Sequence, residues 1–431
     1  MGSLRPTQAW CTVAVCSIGL LGATETGVGA ATSLAPKVAV HALALPGEGN
    51  VELTSVSCVD PTHCVAVGTF RPQAIWNNNS AGEHPVIMRF DGRRWSTVAS
   101  PDVVNAELNG VACVSLTACV AVGDQAPSED SSSTFIEEEA DSVWTVVPSP
   151  NPAWYTGGSD YFLEGVSCVS SSDCTAVGSV YGFGYGRGTQ PSTGLVERES
   201  AIGWTVVPLA PLVPTPIPPA STTLVPYNAL DPTLLTSVSC SQSNCIAVGE
   251  EASVATTAAS WASIKTSPLD LSGVSCTSEL SCVAVGEGGP GVADHTAINF
   301  STSVADVSGS QWQRVSSPNT MQADNSLRAV SCSGTGSCVA IGQFSPSGGH
   351  IQIGSGGAKY IDGAGGPLIE VERQPRWFVA PVAPTPLRID DMLNSVSCPS
   401  PHSCVAVGES VVNADRSPSG LIQAYAVRID H

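Results

Sequence analysis

The residues with the best claim to chemistry are carboxylates in a repeated place. Seven times the chain writes L-x-x-V-[SA]-C, a short polar loop, then C-[VIT]-A-[VI]-G. The leading leucines are Leu53, Leu108, Leu163, Leu235, Leu271, Leu327 and Leu393. The position just before them holds Glu52, Glu107, Phe162, Leu234, Asp270, Ser326 and Met392. A repeat architecture brings equivalent positions to one ring, so Glu52, Glu107 and Asp270 are expected around one channel mouth. Three carboxylates there could hold a cation, or divide into the acid and base that a glycoside hydrolase or lyase needs. The plainer alternative is solvation, the usual state of carboxylates that meet no motif geometry.

Other chemistry is sparse. No nucleophile elbow G-x-S-x-G is present. The seven histidines form no H-E-x-x-H, and His63 and His402 fall in the short loops between paired cysteines. Phosphate-loop, dinucleotide and EF-hand signatures are absent, so no cofactor and no metal site is expected. Runs such as Glu137-Glu138-Glu139, Glu197/Glu199 and Glu370/Glu372 recur on one strand of the repeat. Period-two alternation reads them as the solvated side of an outer strand.

Of sixteen cysteines, Cys11 and Cys16 lie near the N-terminus. The rest fall as one pair per repeat: Cys58–Cys64, Cys113–Cys119, Cys168–Cys174, Cys240–Cys245, Cys276–Cys282, Cys332–Cys338 and Cys398–Cys404. Even number, constant spacing and an export signal read as seven disulfides. Zinc is the competing reading, but C-x5-C lacks the second knuckle that would complete four ligands.

The elements that position these residues are short strands. In the first repeat they are 53–58, 64–68 (CVAVG), 85–90 (PVIMRF) and 95–99 (WSTVA), bounded by Gly, Pro, Asp and Ser. The third strand recurs as TFIEEE (134–139), GLVERE (194–199), TAINFS (296–301), PLIEVE (367–372) and GLIQAYAV (420–427). The fourth recurs at Trp144, Trp204, Trp261, Trp312 and Trp377. Four strands in seven repeats read as an all-β, seven-bladed propeller. The seventh repeat runs out after its third strand, and the orphan strand 37–45 (KVAVHALAL) is expected to complete it and close the ring. An open solenoid is the runner-up. Each cysteine pair then staples the turn between strands one and two, worth about 2 kcal/mol in the chain-entropy account.

Loop lengths separate two faces. The stapled turns are nearly constant. The connections from strand two to three and from strand four to the next repeat vary widely, and both emerge on the opposite face. Function concentrates on variable loops held by a rigid scaffold. Aromatics gather there, most densely around the third repeat: Trp154, Tyr155, Tyr161, Phe162, Tyr181, Phe183 and Tyr185, with Arg187. Rigid rings with polar tips suit binding surfaces, although rings that merely pack the loops down would look the same.

The compartment follows from the other end. Arg5, the apolar run 10–23 and Gly29-Ala30-Ala31 read as a signal peptide over residues 1–30. Its apolar run is shorter than the roughly 20 residues of a membrane span. Residues 31–431 are then one secreted domain, extracellular or at the cell surface. Net charge is −20, and no basic run offsets it, which disfavours nucleic acid.

On V-S-C-x5-C-x-A-V-G, over roughly residues 37–431, the chain resembles exported actinobacterial-type repeat proteins with paired cysteines, similar to propellers of the sialidase-like or neuraminidase-repeat kind. The resemblance implies fold, export and disulfides, and little about activity. The Asp-box S-x-D-x-G-x-x-W is not reproduced. Asp91-Gly92-Arg93-Arg94-Trp95 and Ser308-Gly309-Ser310-Gln311-Trp312 keep only its Gly-to-Trp ending, and no arginine triad stands out. Both departures count against sialidase activity. The expectation is therefore a secreted, monomeric, non-enzymatic binding or scaffold propeller. Its ligand would be a glycan, a cell-wall polymer or a protein on the variable face. A glycoside hydrolase or lyase using Glu52, Glu107 and Asp270 is the alternative, and a structural surface protein without a ligand the third reading.

Overall fold

The structure is a computed structural model. It describes residues 36–41, 43, 49–72, 82–128, 131–152, 159–182, 193–210, 234–242, 244–249, 252–257, 260–263, 270–279, 281–288, 301–308, 311–319, 323–346, 351–354, 357–360, 365–374, 376–382, 388–412 and 421–430. After β1 (Lys37–His41) come the strands of unit one: β2 (Asn50–Asp60), β3 (His63–Arg71), β4 (His84–Phe90) and β5 (Trp95–Thr97). Unit two is β6 (Ala106–Ser115), β7 (Ala118–Ser128), β8 (Ser131–Ala140) and β9 (Val143–Val147). Unit three is β10 (Ser159–Ser170), β11 (Asp173–Gly182), β12 (Thr193–Ser200) and β13 (Gly203–Val206). After β14 (Leu209–Ala210), unit four is β15 (Leu235–Ser241), β16 (Asn244–Gly249), β17 (Ala252–Thr257) and β18 (Ser260–Ser263). Unit five is β19 (Asp270–Ser278), β20 (Ser281–Gly288), β21 (Ser301–Ser308) and β22 (Gln311–Val315). Unit six is β23 (Ala323–Gly334), β24 (Ser337–Pro346), β27 (Gly366–Arg373) and β28 (Arg376–Val379), with an inserted hairpin of β25 (Ile351–Gly354) and β26 (Gly357–Tyr360). Unit seven is β29 (Arg388–Ser400), β30 (Ser403–Val412) and β31 (Leu421–Asp430).

Within each unit, strands pair antiparallel in chain order, so the fold is an all-β propeller of four-stranded blades. Two expectations need correction. Among the described residues, sheets of the expected four strands number six, not seven. Unit four lies in a five-stranded sheet, because β14 adds in parallel to the outer edge of β18, where an edge ladder is open to pairing. The third strand of unit five is 301–308, not 296–301: it pairs with the Trp312 strand from Val304 opposite Val315 to Ser308 opposite Gln311, and 296–300 lie outside the described residues. β1 pairs antiparallel with β31, Lys37 opposite Asp430 and His41 opposite Ala426.

Apolar layers lie between adjoining sheets. One joins Val51, Leu53, Met88 and Trp95 of unit one to Val405, Val407, Ala424 and Ala426 of unit seven. The repeat's signature residues have local causes. Directly after each leading leucine the register slips by one residue, a β-bulge. The bulge drives the preceding carbonyl at the glycine of strand two. A Cβ on Gly123 would lie 2.0 Å from the Glu107 carbonyl oxygen, so only glycine fits there.

The bulged residue then reaches the next unit. Thr54 Oγ1 donates to the Leu108 carbonyl at 2.6 Å, Asn109 Nδ2 to that of Leu163 at 3.1 Å, and Asn394 Nδ2 to that of Leu53 at 3.0 Å. Four residues beyond each leading leucine, a serine hydroxyl accepts the N–H of the next unit's first cysteine. Ser57 takes Cys113, Ser167 takes Cys240, Ser239 takes Cys276, Ser275 takes Cys332, Ser331 takes Cys398, and Ser397 takes Cys58. This belt breaks once, between units two and three, where the residue is Ala112. All seven expected disulfides are present, each joining strands one and two of its unit.

The acidic runs on strand three correct the solvated reading. Glu137, Glu197 and Glu370 are wholly buried. Strand three is covered on both faces by adjoining sheets, so alternation chooses between two neighbours, not between neighbour and solvent. Ser149 of unit two donates to Glu197 Oε2 at 2.8 Å, and Ser317 of unit five to Glu370 Oε2 at 2.6 Å. Burial, opposed by the Ser149 bond, pushes Glu197 up to about 7. Glu137, without a hydrogen-bond partner for either oxygen, is pushed to about 7 by burial alone.

Candidate functional site

At the end of the sheets away from the staples, the residue before each leading leucine pairs across to the residue after the repeat glycine. Glu52 faces Thr69, Glu107 faces Asp124, Phe162 faces Ser179, and Asp270 faces Glu287. Units one to three concentrate acids here. Arg71, two residues beyond Thr69 on β3, sits 3.5 Å from Glu52 through Nη1, and its Nε donates to Glu83. Glu83 owes its place to Asn105, which adopts a left-handed backbone (φ 59°). Asn105 Oδ1 accepts from the Gly82 N–H at 2.8 Å, and its own N–H donates to the Glu83 carbonyl at 2.7 Å.

Asn109, the bulged residue of unit two, connects this group to unit three. Its Nδ2 reaches Asp124 Oδ1 at 3.4 Å and the Leu163 carbonyl. The equivalent bulge position in unit three is Glu164, a carboxylate where units one, two, four and seven place the donors Thr54, Asn109, Thr236 and Asn394.

Electrostatics tie these groups together. Burial, the Glu107 charge and the hydrogen bond it shares with Glu107 push Asp124 far above the carboxylate range, with Asn109 opposing. Glu107 is raised by burial and by the Glu83 and Glu52 charges, against the Asp124 bond and Arg71. Glu164 is raised by burial and by Glu107. Burial works against the Arg71 charge, yet its bond to Glu83 and the charges of Glu83, Glu52 and Glu107 hold its pKa above the ordinary value. Both carboxyls therefore hold their protons to higher pH than free carboxylates do, hydrogen-bonded to each other. Such a pair suits a cationic group, and it is also the form of an acid–base couple.

The structure treats the expected site residues unequally. Glu52 and Glu107 are drawn together around Arg71. Asp270 is exposed on unit five and joins none of these contacts. Tyr161 is 9% exposed and its hydroxyl donates to the Pro152 carbonyl, so this ring packs the loop down. Phe162 and Tyr181 meet edge to face with centroids 5.7 Å apart, and Tyr181 is 38% exposed. Trp154, Tyr155, Phe183, Tyr185 and Arg187 lie outside the described residues.

Sequence reasoning missed Arg71, Glu83, Asp124 and Glu164. Asp124 was reachable, since it directly follows the repeat glycine and pairs with Glu107. Glu164 was also reachable, as the odd member of the bulge position. Glu83 depends on a turn that no pattern announces.

No family profile matches the chain, and no curated protein matches it. Solved structures do resemble it. YCF48 bound to D1 peptide aligns with a TM-score of 0.50 and 11% identity, over 92% of this chain and 97% of that one. The WD40 β-propeller domain of Doa1 aligns with a TM-score of 0.46 and 9% identity, over 92% and 97%. Chaetomium thermophilum Sqt1 bound to the N-terminus of ribosomal protein L10 aligns with a TM-score of 0.41 and 9% identity, over 88% of each chain. At these identities the likeness concerns the fold: a propeller, here with paired cysteines.

Proposed function

We propose that this chain is an exported, non-enzymatic binding or scaffold propeller that takes a basic segment of a protein partner at the acidic mouth of units one to three. The observation that carries this is the linked set of acids in which Glu52, Glu83 and Glu107 act on Arg71 and Asp124 and Glu164 act on Glu107. A negatively charged mouth favours arginine or lysine side chains over acidic or neutral ones. The fold-level likeness to a propeller holding a peptide, YCF48 with D1 peptide, agrees with a peptide ligand.

Export fits seven disulfides, which persist in oxidising compartments, and a signal peptide over residues 1–30 followed by one monomeric domain. In the same reading the five-stranded sheet of unit four counts as a blade, giving a seven-bladed ring whose last blade is completed by the strand at 37–45. A peptide array of basic, neutral and acidic segments tests the function. The mature protein should retain basic peptides, and the Glu107→Gln, Asp124→Asn double variant should not. Equal retention by both proteins, or retention without regard to peptide charge, would overturn the reading.

The hydrogen-bonded, up-shifted pair Glu107–Asp124 favours a second reading, hydrolysis or elimination on a glycan. Turnover on a polysaccharide panel that disappears in Glu107→Gln would establish it and displace the first.

A further inference from the structure

Three features meet at the junction of units two and three, the first of them plain beside the junction of units one and two. At the junction of units one and two, Arg89 on β4 pairs through Nη2 with Glu139 Oε1 on β8. In register, Arg89 lies opposite Val65 as Glu138 lies opposite Val120. Arg198 of unit three takes the same place, and Glu199 is the next residue. The counterparts of Arg89 and Glu139 at the next junction are therefore Glu138 and Glu199. There an ion pair is replaced by two carboxylates. Burial, then the Glu138 and Asp173 charges, push Glu199 up to about 7, and its Oε2 has no hydrogen-bond partner.

The second feature is the broken belt. Among the described residues no serine hydroxyl takes the Cys168 N–H, because the preceding unit offers Ala112. The third is a cavity of about 330 Å³ at this junction, on the stapled face. Ala112, Thr117, Glu138 and Thr145 line it from unit two, with Cys168 and Ser170 from unit three. Glu138 accepts from Trp204 Nε1 at 2.8 Å through Oε1, which fixes the carboxylate on the wall. The nearby cation Arg198 is occupied by Asp173 at 3.1 Å.

We propose that this cavity is a second binding site, for an arginine or lysine side chain of a protein partner. The ligand's cation stands against Glu138 on the cavity wall as the guanidinium of Arg89 stands against Glu139 one junction earlier, and Glu199, outside the wall, adds the charge that already acts on Glu138. The site is independent of the acidic mouth, which lies at the other end of the sheets. Charge complementarity selects the occupant, since two like charges that already act on each other are relieved by a cation.

The experiment is calorimetric titration of the mature protein with acetyl-Ala-Arg-Ala-amide and with its neutral citrulline counterpart. The arginine peptide should bind roughly tenfold more tightly. One arginine site per chain should vanish in Glu138→Gln, which keeps an acceptor for Trp204, and remain in Glu107→Gln. Glu199→Gln should weaken the same site. Glu138→Arg, which copies the junction of units one and two, should abolish it and raise the melting temperature. Equal binding of the two peptides, an arginine stoichiometry unchanged by Glu138→Gln and Glu138→Arg, or loss only in Glu107→Gln would overturn the proposal.

Discussion

The two ends of these sheets are written by the same repeat and serve different purposes. At the stapled end, seven disulfides and a belt of serine–amide bonds treat every junction alike, apart from the step at Ala112. At the mouth, the residue before the leading leucine varies: Glu52 and Glu107 in units one and two, then Phe162, Leu234, Asp270, Ser326 and Met392. The backbone there is as regular as at the staples, since every unit keeps its bulge and its glycine. The difference suits a division of labour in which identical residues hold the repeat together and, in the proposed reading, unlike residues recognise a partner.

The largest expected effect breaks the regular part through its buried acids. Glu137 and Glu197 have folded-state pKa values of about 7 against an ordinary 4.5, so the folded state favours their protonated forms. Their contribution to stability is fully present below pH 4.5, is lost as pH rises through 7, and is flat above that. The ceiling is about 3 kcal/mol apiece. Thermal melts should fall in midpoint from pH 5 to pH 8, and the Glu137→Gln, Glu197→Gln variant should flatten that slope. A midpoint rising over this range would contradict the placement of these acids.

Gly123→Ala comes next. Its Cβ would meet the Glu107 carbonyl, and the strain should cost roughly 3 kcal/mol, read by denaturant melts. It should also weaken basic-peptide binding, because it moves Glu107. Replacing both Cys113 and Cys119 by serine should cost about 2 kcal/mol and leave peptide binding unchanged, which would separate the two ends directly. The smallest effect sharpens the belt. Ser57→Ala removes the bond from the Cys113 N–H and should cost about 1 kcal/mol, whereas Ala112→Ser should be neutral or stabilising by supplying the one missing acceptor. Equal losses from both serine-belt variants would show that the belt is incidental.

Much of the holding part was legible in the sequence. A seven-fold pattern with paired cysteines gives strand order, staples and stacking, because every copy reports the same constraint. The mouth was half legible. Glu52 and Glu107 follow from counting back from the leucine, and Asp124 from counting on from the glycine. Asp270 obeyed the same count and still stands apart, because it is exposed in unit five, outside the acids grouped around Arg71. Glu137, Glu197 and Glu370 misled because alternation says which face a side chain takes, and only the stacking of sheets says what covers that face. Glu138 and Glu199 acquire meaning only beside Arg89 and Glu139, a comparison that requires the register of the third strands.

The central claim is that the acidic mouth of units one to three recognises a basic partner. The most direct measurement is the affinity of the mature protein for its best basic array peptide, compared with Glu107→Gln and with Asp270→Asn. The account predicts that Glu107→Gln weakens binding by about tenfold or more, that Asp270→Asn leaves it unchanged, and that added salt narrows the gap. Equal affinities for all three proteins would place recognition elsewhere and contradict it.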